Sequence, residues 1–588
     1  MNQNKELSDL IYKDKYLQKG ESFEEGMARI AGALTDNKEE FYNFKEILED
    51  QRFLPAGRIQ VAVGAARLTT PYNCYVSGTI GDSMTEISHA AQEAMETLKL
   101  GGGIGYDFST LRPSGDLIAS LDSTSCGPVG NSVGNNRGFM DWFDAGCAVI
   151  RSAGHRRGAQ MGVLRVDHPD IRHFIHAKRE QGRLTNFNVS VGITDEFMHA
   201  VVNDLPFDLR FKGRVYEKIS AKNLWDEIMR STWDHAEPGV LFIDRINSKN
   251  NLWYCENIVA TNPCGEQPLP PYGACLLGSL NLTKYIVRIG TDHVTGIPIY
   301  GFNYERMKRD ISYVVPAMDR VIDVAIYPLE AQKKEAQTKR RMGIGVTGLA
   351  DTLSILGAPY GSPESLALTE NILREIRDSA YWTSIRLATE RGPFAKLDVQ
   401  KYLGSDFMQT MPEDIRNEIG RVGIRNSHLL SIAPTGTISL AAGNISSGLE
   451  PPYIKGTYNR RVIHGSGEVV EYQLQDYITA NKDKYKFAKS LGANEISADA
   501  HVDMLNLCSK YVDSSVSKTC NVGDEVTFNE FKDIYLKAYN GGASGCTTFR
   551  EAGFRKGIME KTEDKTEEEI VEGAACFIDP DTGQRTCE

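Results

Sequence analysis

Hydrophobic and polar residues follow two kinds of pattern along this chain, and each kind predicts a different element. Ser83-Met84-Thr85-Glu86 has the form of a helix capping box, and Gly101 is a suitable stop, so a helix is predicted between them. A second helix is predicted from Ser362, with Pro363 at its first position, to Gly392. Short β-rich runs alternate with helical stretches, at residues 187–191, 240–243 and 279–282. This alternation predicts an α/β fold, with helices packed around a sheet or a barrel.

The two ends of the chain differ from its middle. Residues 1 to about 70 are predicted to be mostly helical, and a short extended run follows at 72–76. Near the C-terminus, residues 560–572 are rich in charged residues and threonine, so they bury too little apolar surface to fold. The segment 580–583 would turn the chain and could bring Cys576 and Cys587 together. We therefore predict a helical region at 1–70, a central α/β domain at 71–555 and a flexible tail at 556–588.

Composition places the chain among ordinary globular proteins. Its 588 residues are 41% hydrophobic and 24% charged, which is typical of a soluble protein. The net charge of −12 argues against electrostatic binding to nucleic acid or to an anionic membrane. Residues 1–9 lack the apolar core of a signal peptide, and no apolar stretch is long enough to span a bilayer. The cytoplasm is therefore the expected location.

The cysteines indicate chemistry rather than structural crosslinks. Eleven cysteines are too few, in a chain of this length, for a secreted disulfide scaffold. No Cys-x-x-Cys pair occurs, so the commonest structural zinc and thioredoxin-like motifs are missing, and we predict no protein-bound metal site. In a reducing compartment, cysteines that form disulfides are expected to take part in catalysis or redox chemistry and not to stabilise the fold.

One segment combines a thiol with a carboxylate. In Asn262-Pro263-Cys264-Gly265-Glu266, an amide, a thiol and a carboxylate occupy alternate positions, and Cys275 follows eleven residues after Cys264. If the segment is extended, alternation directs the three side chains to one face. The combination indicates a reactive thiol beside a group that moves protons. The plain alternative is a buried structural thiol next to a solvated carboxylate.

A second segment is suited to binding phosphate. Residues 434–439 supply hydroxyls and backbone N–H groups around a glycine, which can surround phosphate oxygens. Taken alone, the same residues favour a plain turn.

Several separated motifs together resemble the large catalytic subunit of ribonucleotide reductases, most closely the adenosylcobalamin-dependent class II enzymes. The resemblance runs from about Phe53 to Arg550 and includes the C-terminal cysteine pair. It rests on the order and spacing of these motifs: Asn73-Cys74, residues 101–108 with Leu111-Arg112-Pro113, His168-Pro169-Asp170-Ile171, Asn186-Phe187-Asn188, residues 262–266, residues 433–439, and residues 545–550.

The resemblance implies a fold and a reaction. The fold would be a ten-stranded α/β barrel, with a central finger loop that carries the radical cysteine. Cys264 would become a thiyl radical and remove the hydrogen from C3′ of the substrate ribose, with Glu266 as general base and Asn262 holding the sugar. Cys74 and Cys275 would supply two electrons and close a disulfide. Cys576 and Cys587 would reopen it by thiol exchange and pass the oxidation to a thioredoxin-like or glutaredoxin-like reductant. The product would be a precursor for DNA synthesis.

The resemblance also implies binding residues and partners. The substrate, a ribonucleoside diphosphate or triphosphate, would be held by Asn73, Gly103, Pro434, Thr435, Gly436, Thr437 and Ile438. Arg58, which stands where the family more usually has a serine-containing stretch, is hypothesised to bind the substrate phosphates. A dNTP or ATP effector that sets specificity would contact Asp82, Ser83 and Lys178, at the interface of a homodimer. No N-terminal ATP-cone domain is expected.

The radical source is inferred from the family and from an absence in the sequence. Class I enzymes relay the radical through two adjacent tyrosines, and this chain has 25 tyrosines but no Tyr-Tyr pair. Adenosylcobalamin is therefore the expected cofactor, although no residue is recognisable as a cobalt ligand. Two alternatives stay open: a class I catalytic subunit that needs a separate metal-bearing partner, and a nucleotide-binding thiol–disulfide oxidoreductase without radical chemistry.

Overall fold

A computed structural model describes residues 3–66, 68–118, 123–130, 137–150, 158–180, 182–294, 296–463 and 469–550. For Cys275 and Ile463, and for residues 560–561, 576–578 and 585–587, it describes the backbone alone. Helices and strands alternate along most of this length, so the predicted α/β class is confirmed. None of the helices in these ranges combines the length and apolar character needed to cross a lipid bilayer.

The N-terminal region is mostly helical. Its helices begin at side chains that cap the first turn, since Ser22 accepts a hydrogen bond from Glu25 N and Asn37 accepts one from Glu40 N. The elements are α1 (Asn4–Ile11), α2 (Phe23–Leu34), α3 (Lys38–Glu49), β1 (Phe53–Pro55) and α4 (Gly57–Ala62).

The next part alternates strands with helices. The helix after Ser83 is confirmed, because the Ser83 hydroxyl accepts from Glu86 N and Gly101 ends the turn in the left-handed region at φ 91°. The elements are β2 (Cys74–Val76), α5 (Met84–Lys99), β3 (Gly103–Asp107), α6 (Phe139–Val149), β4 (Gln160–Arg165), α7 (Ile171–Ile175), β5 (Phe187–Ile193), α8 (Asp195–Val202), β6 (Pro206–Phe211), β7 (Arg214–Ser220), α9 (Ala221–His235), β8 (Gly239–Phe242) and α10 (Ile243–Lys249).

The second half contains shorter strands and the longest helix. That helix begins after Ser362 and ends at Gly392, as predicted. The elements are β9 (Ala260–Thr261), β10 (Pro268–Leu269), β11 (Ala274–Cys275), β12 (Leu277–Asn281), β13 (Ile286–Thr291), β14 (Pro298–Phe302), α11 (Tyr304–Val324), α12 (Glu330–Lys339), β15 (Gly343–Thr347), α13 (Leu349–Ile355), α14 (Pro363–Arg391), α15 (Val399–Leu403), α16 (Asp406–Gln409), α17 (Glu413–Val422) and α18 (Gly436–Ala441).

The C-terminal part contains a strand pair, then two strands separated by a helix, and finally three short strands. Its elements are β16 (Thr457–Ile463), β17 (Val469–Gln475), α19 (Tyr477–Ala480), α20 (Ala498–Lys510), β18 (Thr519–Val522), α21 (Phe528–Gly541), β19 (Gly545–Arg550), β20 (Glu560–Lys561), β21 (Cys576–Ile578) and β22 (Arg585–Cys587).

The strands that lie around the short pair β9–β10 form two connected sets. In the first set, β2, β3, β4, β5 and β8 are neighbours in that order and run parallel. In the second, β18 is parallel to β19, and β12 is parallel to β15. Single parallel bridges, Ile344 with Leu430 and Ile432 with Val516, connect β15 to the segment that leads into β18. The strand β11 comes immediately before β12 along the chain and belongs with the second set. The two sets meet where β19 pairs antiparallel with β8 and where β11 pairs antiparallel with β2.

Alternate residues of these strands face two different cores. On β4, Leu164 belongs to the large core shared with the helices, whereas Met161 and Val163 belong to a smaller cluster on the opposite face. We call this smaller group the inner cluster; it also contains Cys74 and Val76 of β2, Leu241 of β8, Ala260 of β9 and Leu269 of β10. The short pair β9–β10 is therefore enclosed by the inward face of the strands.

Close approach of this pair requires glycine on β3. A Cβ at Gly105 would stand well inside 3.0 Å of the Thr261 carbonyl oxygen. Gly105 therefore gives the β9 backbone room to lie directly against β3, which positions everything that the β9–β10 turn carries.

Candidate functional site

Residues 260–269 form a hairpin whose tip carries the predicted reactive residues; we call it the Cys264 hairpin. Thr261 lies opposite Pro268, and Ala260 lies opposite Leu269. The turn is closed by hydrogen bonds from Gln267 N to Asn262 Oδ1 at 2.9 Å and from Asn262 N to Gln267 O at 3.1 Å.

The assumption that residues 262–266 are extended is wrong. Gly265 lies in the left-handed region at φ 79°, and its N–H donates to Asn262 O at 3.0 Å, so the chain turns sharply at this point. The turn, and not strand alternation, places Asn262, Cys264 and Glu266 at one tip. All three side chains are buried.

The tip is fixed on two sides by hydrogen bonds. Asn188 Nδ2 of β5 donates to Pro263 O at 3.0 Å. On the other side, Glu266 O accepts from Ser431 Oγ at 2.8 Å and from Ser515 N at 3.1 Å. The hairpin is therefore held between the two sets of strands, which gives its side chains defined positions.

One polar atom at the tip is available to a bound molecule. Asn262 Nδ2 is buried and makes no hydrogen bond within the described part of the chain. A buried donor without a partner costs about 1–3 kcal/mol, so a ligand that accepts its hydrogen bond would recover that cost.

Cys74 lies next to the tip. A Cβ at Gly103 of β3 would stand 3.3 Å from Cys74 Sγ and 3.3 Å from Pro263 Cγ, so the thiol and the tip approach the same glycine. Cys275 is the backbone partner of Cys74 across β11 and β2. The two cysteines predicted to exchange electrons are thus on directly opposed residues, beside the hairpin that carries the third.

The cysteine oxidation states differ from those that the predicted reaction needs at its start. Cys264 is disulfide-bonded, while Cys74 and the other cysteines whose side chains are described carry reduced thiols. A disulfide sulfur has no S–H hydrogen to exchange. The structure therefore represents a form that must be reduced before Cys264 can act as predicted.

The predicted phosphate segment forms the start of a short helix. Thr435 adopts φ 59° immediately before α18, so residues 436–438 supply the first backbone N–H groups, which have no partners within a helix. The Thr435 hydroxyl is already engaged, since it lies 2.9 Å from Thr347 Oγ1 and accepts from Gly448 N at 2.7 Å. The backbone, more than the Thr435 side chain, is what this segment offers to an anion.

The remaining predicted substrate residues lie around the start of β3. Gly103 N donates to Asn73 O at 2.8 Å, and Asn73 Oδ1 is buried without a hydrogen-bond donor among the described residues. The Arg58 guanidinium of α4 packs over Gly101, where a Cβ would stand 2.7 Å from Cζ. The structure therefore places Arg58 beside the glycines that precede β3, and its phosphate contact stays a prediction.

The predicted effector residues are engaged within the chain. Asp82 accepts from Arg112 N at 3.0 Å and pairs with Lys212 Nζ at 2.9 Å. Burial raises the pKa of Asp82, but these two partners outweigh it and hold that pKa below its usual value. Ser83 caps α5, and Lys178 pairs with Glu237 at 2.9 Å. An effector would have to compete with these contacts, and the effector role stays a prediction.

The tail cysteines are opposed to one another. Cys576 of β21 and Cys587 of β22 are backbone partners in an antiparallel pair, and β22 lies against α18. The predicted turn at 580–583 lies outside the described residues.

Sequence reasoning missed a polar strand and the role of one motif. Every second position from 515 to 521 is polar, namely Ser515, Ser517, Thr519 and Asn521. This alternation with apolar or outward residues was the signal that could have predicted the strand. His168 was recognised as part of a motif but given no role. It donates from Nε2 to Leu111 O at 2.9 Å and accepts at Nδ1 from Asp170 N, and burial lowers its pKa to about 4. That motif is therefore structural.

No described group of three or more His, Cys, Asp or Glu side chains could hold a metal ion.

Comparison with known proteins places this geometry in context. The family model described as the barrel domain of ribonucleotide reductase matches residues 72–549. A vitamin B12-dependent ribonucleoside-diphosphate reductase of Thermoplasma acidophilum is 33% identical over 582 residues, covering 94% of this chain and 71% of its own length. The enzyme of the same description from Mycobacterium tuberculosis is 33% identical, with 87% and 72% covered. A ribonucleoside-diphosphate reductase large subunit of Arabidopsis thaliana is 27% identical, with 69% and 55% covered.

Proposed function

Because the chain belongs to the ribonucleotide reductase family, we propose that it reduces ribonucleotides to 2′-deoxyribonucleotides for DNA precursor synthesis, with adenosylcobalamin as cofactor. The observation that carries the proposal is the buried tip of the Cys264 hairpin, which brings Asn262, Cys264 and Glu266 next to the opposed pair Cys74 and Cys275. The B12-dependent ribonucleoside-diphosphate reductases of Thermoplasma acidophilum and Mycobacterium tuberculosis are each 33% identical to this chain, against 27% for the large subunit of Arabidopsis thaliana, which favours the cobalamin class.

The fold proposed for this activity is a ten-stranded α/β barrel around the Cys264 hairpin as finger loop. One half would be β2, β3, β4, β5 and β8. The other half would be β19, β18, the 430–432 segment, β15, and β11 with β12 as one strand. The antiparallel pairs β8–β19 and β2–β11 support closure, since they join the two halves at both edges. Residues 1–70 and 556–588 would be a helical region and a redox tail.

In the proposed reaction, Cys264 acts on the sugar and Glu266 moves a proton. The Cys264 thiyl radical takes the C3′ hydrogen, because sulfur can hold the unpaired electron and later return the hydrogen. Glu266 removes the 3′-hydroxyl proton, and Asn262 Nδ2 donates a hydrogen bond to the ribose. The 2′-hydroxyl then leaves as water.

The electron balance requires two further thiols. Loss of the 2′-hydroxyl and its replacement by hydrogen consumes two electrons and two hydrogens, which the Cys74 and Cys275 thiols provide as they form a disulfide. Cys264 returns its hydrogen to C3′. Cys576 and Cys587 then take over the disulfide by exchange, and an external dithiol protein reduces them. The position of β22 against α18 supports a tail that reaches this region.

The residues at the tip are compatible with a cofactor that approaches Cys264. When bound, adenosylcobalamin supplies the unpaired electron that Cys264 needs, through homolysis of its cobalt–carbon bond. Cys264 is buried at the tip, so an unpaired electron on its sulfur would be kept away from water, which supports this fit. Cobalt is held by the corrin ring, so the proposal requires no protein ligand for it, and none is assigned.

Partners follow from the same proposal. The substrate would be a ribonucleoside diphosphate or triphosphate, and the descriptions of the relatives favour the diphosphate. Residues 434–438, Asn73, Gly103 and Arg58 would bind it. A nucleotide effector would bind at Asp82, Ser83 and Lys178 in a homodimer.

A reconstituted assay tests the proposal directly. Purified chain, pre-reduced with dithiothreitol, is incubated with cytidine diphosphate, dithiothreitol and adenosylcobalamin, and deoxycytidine diphosphate is measured. We expect product only when adenosylcobalamin is present and without any second protein. Product without the cofactor would contradict the cofactor assignment, and no product with it would contradict the function.

A further inference from the structure

The strand β18 has a polar inward face that no step described so far uses. Val516, Cys520 and Val522 belong to the large core shared with the helices. Because side chains alternate along a strand, Thr519 and Asn521 face the opposite way, toward the side that holds the Cys264 hairpin. Both are buried, with 1% and 4% of their surface exposed.

These two side chains have polar atoms that the described part of the chain does not satisfy. Thr519 Oγ1 and Asn521 Oδ1 are buried and make no hydrogen bond there. The outward threonine of the neighbouring strand behaves differently, since Thr548 Oγ1 lies 2.9 Å from Tyr535 OH. Most buried polar groups have partners, so two adjacent exceptions on one face indicate a bound molecule that supplies them.

The position of Thr519, between the Cys264 hairpin and the proposed phosphate segment, indicates that the bound molecule is the nucleotide substrate. Gly448 N donates to Thr435 Oγ1 at 2.7 Å, and Thr519 N donates to Glu450 Oε1 at 2.6 Å. Gly448 and Glu450 are only two positions apart, so Thr519 lies near Thr435. Thr435 in turn comes directly before α18, at the proposed phosphate segment. Ser515 N, farther back along the same segment, donates to Glu266 O. The segment 515–521 thus extends from the reactive tip toward the proposed phosphate segment.

The backbone of the segment 515–521 is held in place by the buried ion pair of Lys518 and Glu450. Lys518 Nζ donates to Glu450 Oε2 at 2.7 Å and lies 3.0 Å from His501 Nδ1. Because this ion pair fixes the backbone, the Thr519 and Asn521 side chains already point toward the inward side before a ligand binds. Less conformational entropy of the protein is then lost on binding.

Resting on the proposed function, we infer that Thr519 and Asn521 are substrate-binding residues that contact the nucleotide between its reacting sugar and its phosphates. The Thr519 hydroxyl donates to an oxygen of the nucleotide. Asn521 Oδ1 can only accept, so it takes a hydroxyl or amino hydrogen of the nucleoside. Neither residue takes part in the chemical step.

The test compares two Thr→Val variants on adjacent strands. Thr519→Val removes a hydroxyl without an intramolecular partner, whereas Thr548→Val removes one that is hydrogen-bonded to Tyr535. Binding of cytidine diphosphate to the pre-reduced full chain is measured by calorimetry without cofactor, and the melting temperature is measured without nucleotide. Asn521→Leu is measured in the same way, and binding of adenosylcobalamin is followed for each protein by its visible spectrum.

The inference predicts opposite behaviour for the two threonines. Thr519→Val and Asn521→Leu should each weaken cytidine diphosphate binding about tenfold, with a melting temperature equal to or above that of the wild type. Thr548→Val should lower the melting temperature and leave nucleotide binding within about twofold.

Several results would overturn the inference. One is unchanged nucleotide binding by Thr519→Val and Asn521→Leu, and another is loss of stability as large as that of Thr548→Val. A third is weakened binding of adenosylcobalamin with unchanged binding of nucleotide, which would assign these residues to the cofactor. Failure of the wild type to bind cytidine diphosphate would instead contradict the proposed function itself.

Discussion

The close approach of the Cys264 hairpin to β3 gives a prediction whose size follows from the structure. Alanine at Gly105 would place a Cβ well inside 3.0 Å of Thr261 O, a backbone atom that has no alternative rotamer. To regain van der Waals contact, the hairpin or β3 must move by more than about 1 Å. Overpacking of this kind costs about 1–3 kcal/mol of folding free energy. A displacement of about 1 Å at a reacting group lowers the rate by about 100-fold.

Gly162 provides a matched control on the next strand. It faces outward from β4, and a Cβ there would meet Met140 Cε, the flexible end of a side chain that can move aside. Gly162→Ala should therefore change the rate by less than threefold. Deoxycytidine diphosphate formation at saturating substrate gives the rate for each variant, and urea unfolding gives the stability. The reasoning would be refuted if Gly105→Ala kept wild-type turnover and stability.

Two predictions concern buried ionisable groups. Burial raises the pKa of Asp351 to about 7, so the stability provided by its neutral form is full below about pH 4 and is lost as the pH rises through 7. Asp351→Asn should accordingly gain stability relative to wild type between pH 5 and pH 8, by urea unfolding; an equal pH dependence of both proteins would contradict this. Burial lowers the pKa of His168 to about 4, so its contribution is full above about pH 6.5 and is lost as the pH falls through 4. NMR of the imidazole should show a neutral ring at pH 5.5, and a charged ring there would be the opposite result.

Local signals were sufficient for the elements that depend on neighbouring residues. The helices after Ser83 and Ser362 begin and end where their caps and glycines predicted, because capping hydrogen bonds join residues only three positions apart. The strands at 187–191, 240–243 and 279–282 were found with ends displaced by one or two residues. Residue 243 begins α10 instead of ending a strand.

The candidate site depended on contacts between distant residues, which explains what local patterns missed. The tip of the Cys264 hairpin turns because Gly265 adopts a left-handed conformation, and alternation alone predicted an extended segment. The opposition of Cys74 and Cys275 requires the pairing of β2 with β11, about 200 residues apart. The prediction that Cys74 and Cys275 form a disulfide came from the family resemblance and could not be made from the residues alone.

The inward face of β18 was missed for a related reason. Ser515, Ser517, Thr519 and Asn521 alternate correctly for a strand, but the sequence does not say which face is turned inward. Assignment of the face needed Cys520 and Val522 in the large core. Once the face is assigned, the unsatisfied polar atoms of Thr519 and Asn521 are seen to lie on the inward side, where a ligand can bind them.

Replacement of Cys264 by serine tests the central claim most directly. The pre-reduced Cys264→Ser variant is assayed for deoxycytidine diphosphate with adenosylcobalamin and dithiothreitol, beside Cys255→Ser, which changes an exposed thiol that the reaction does not use. The account predicts no product from Cys264→Ser, with cytidine diphosphate binding retained, and wild-type turnover from Cys255→Ser. Product from Cys264→Ser at a wild-type rate would contradict it.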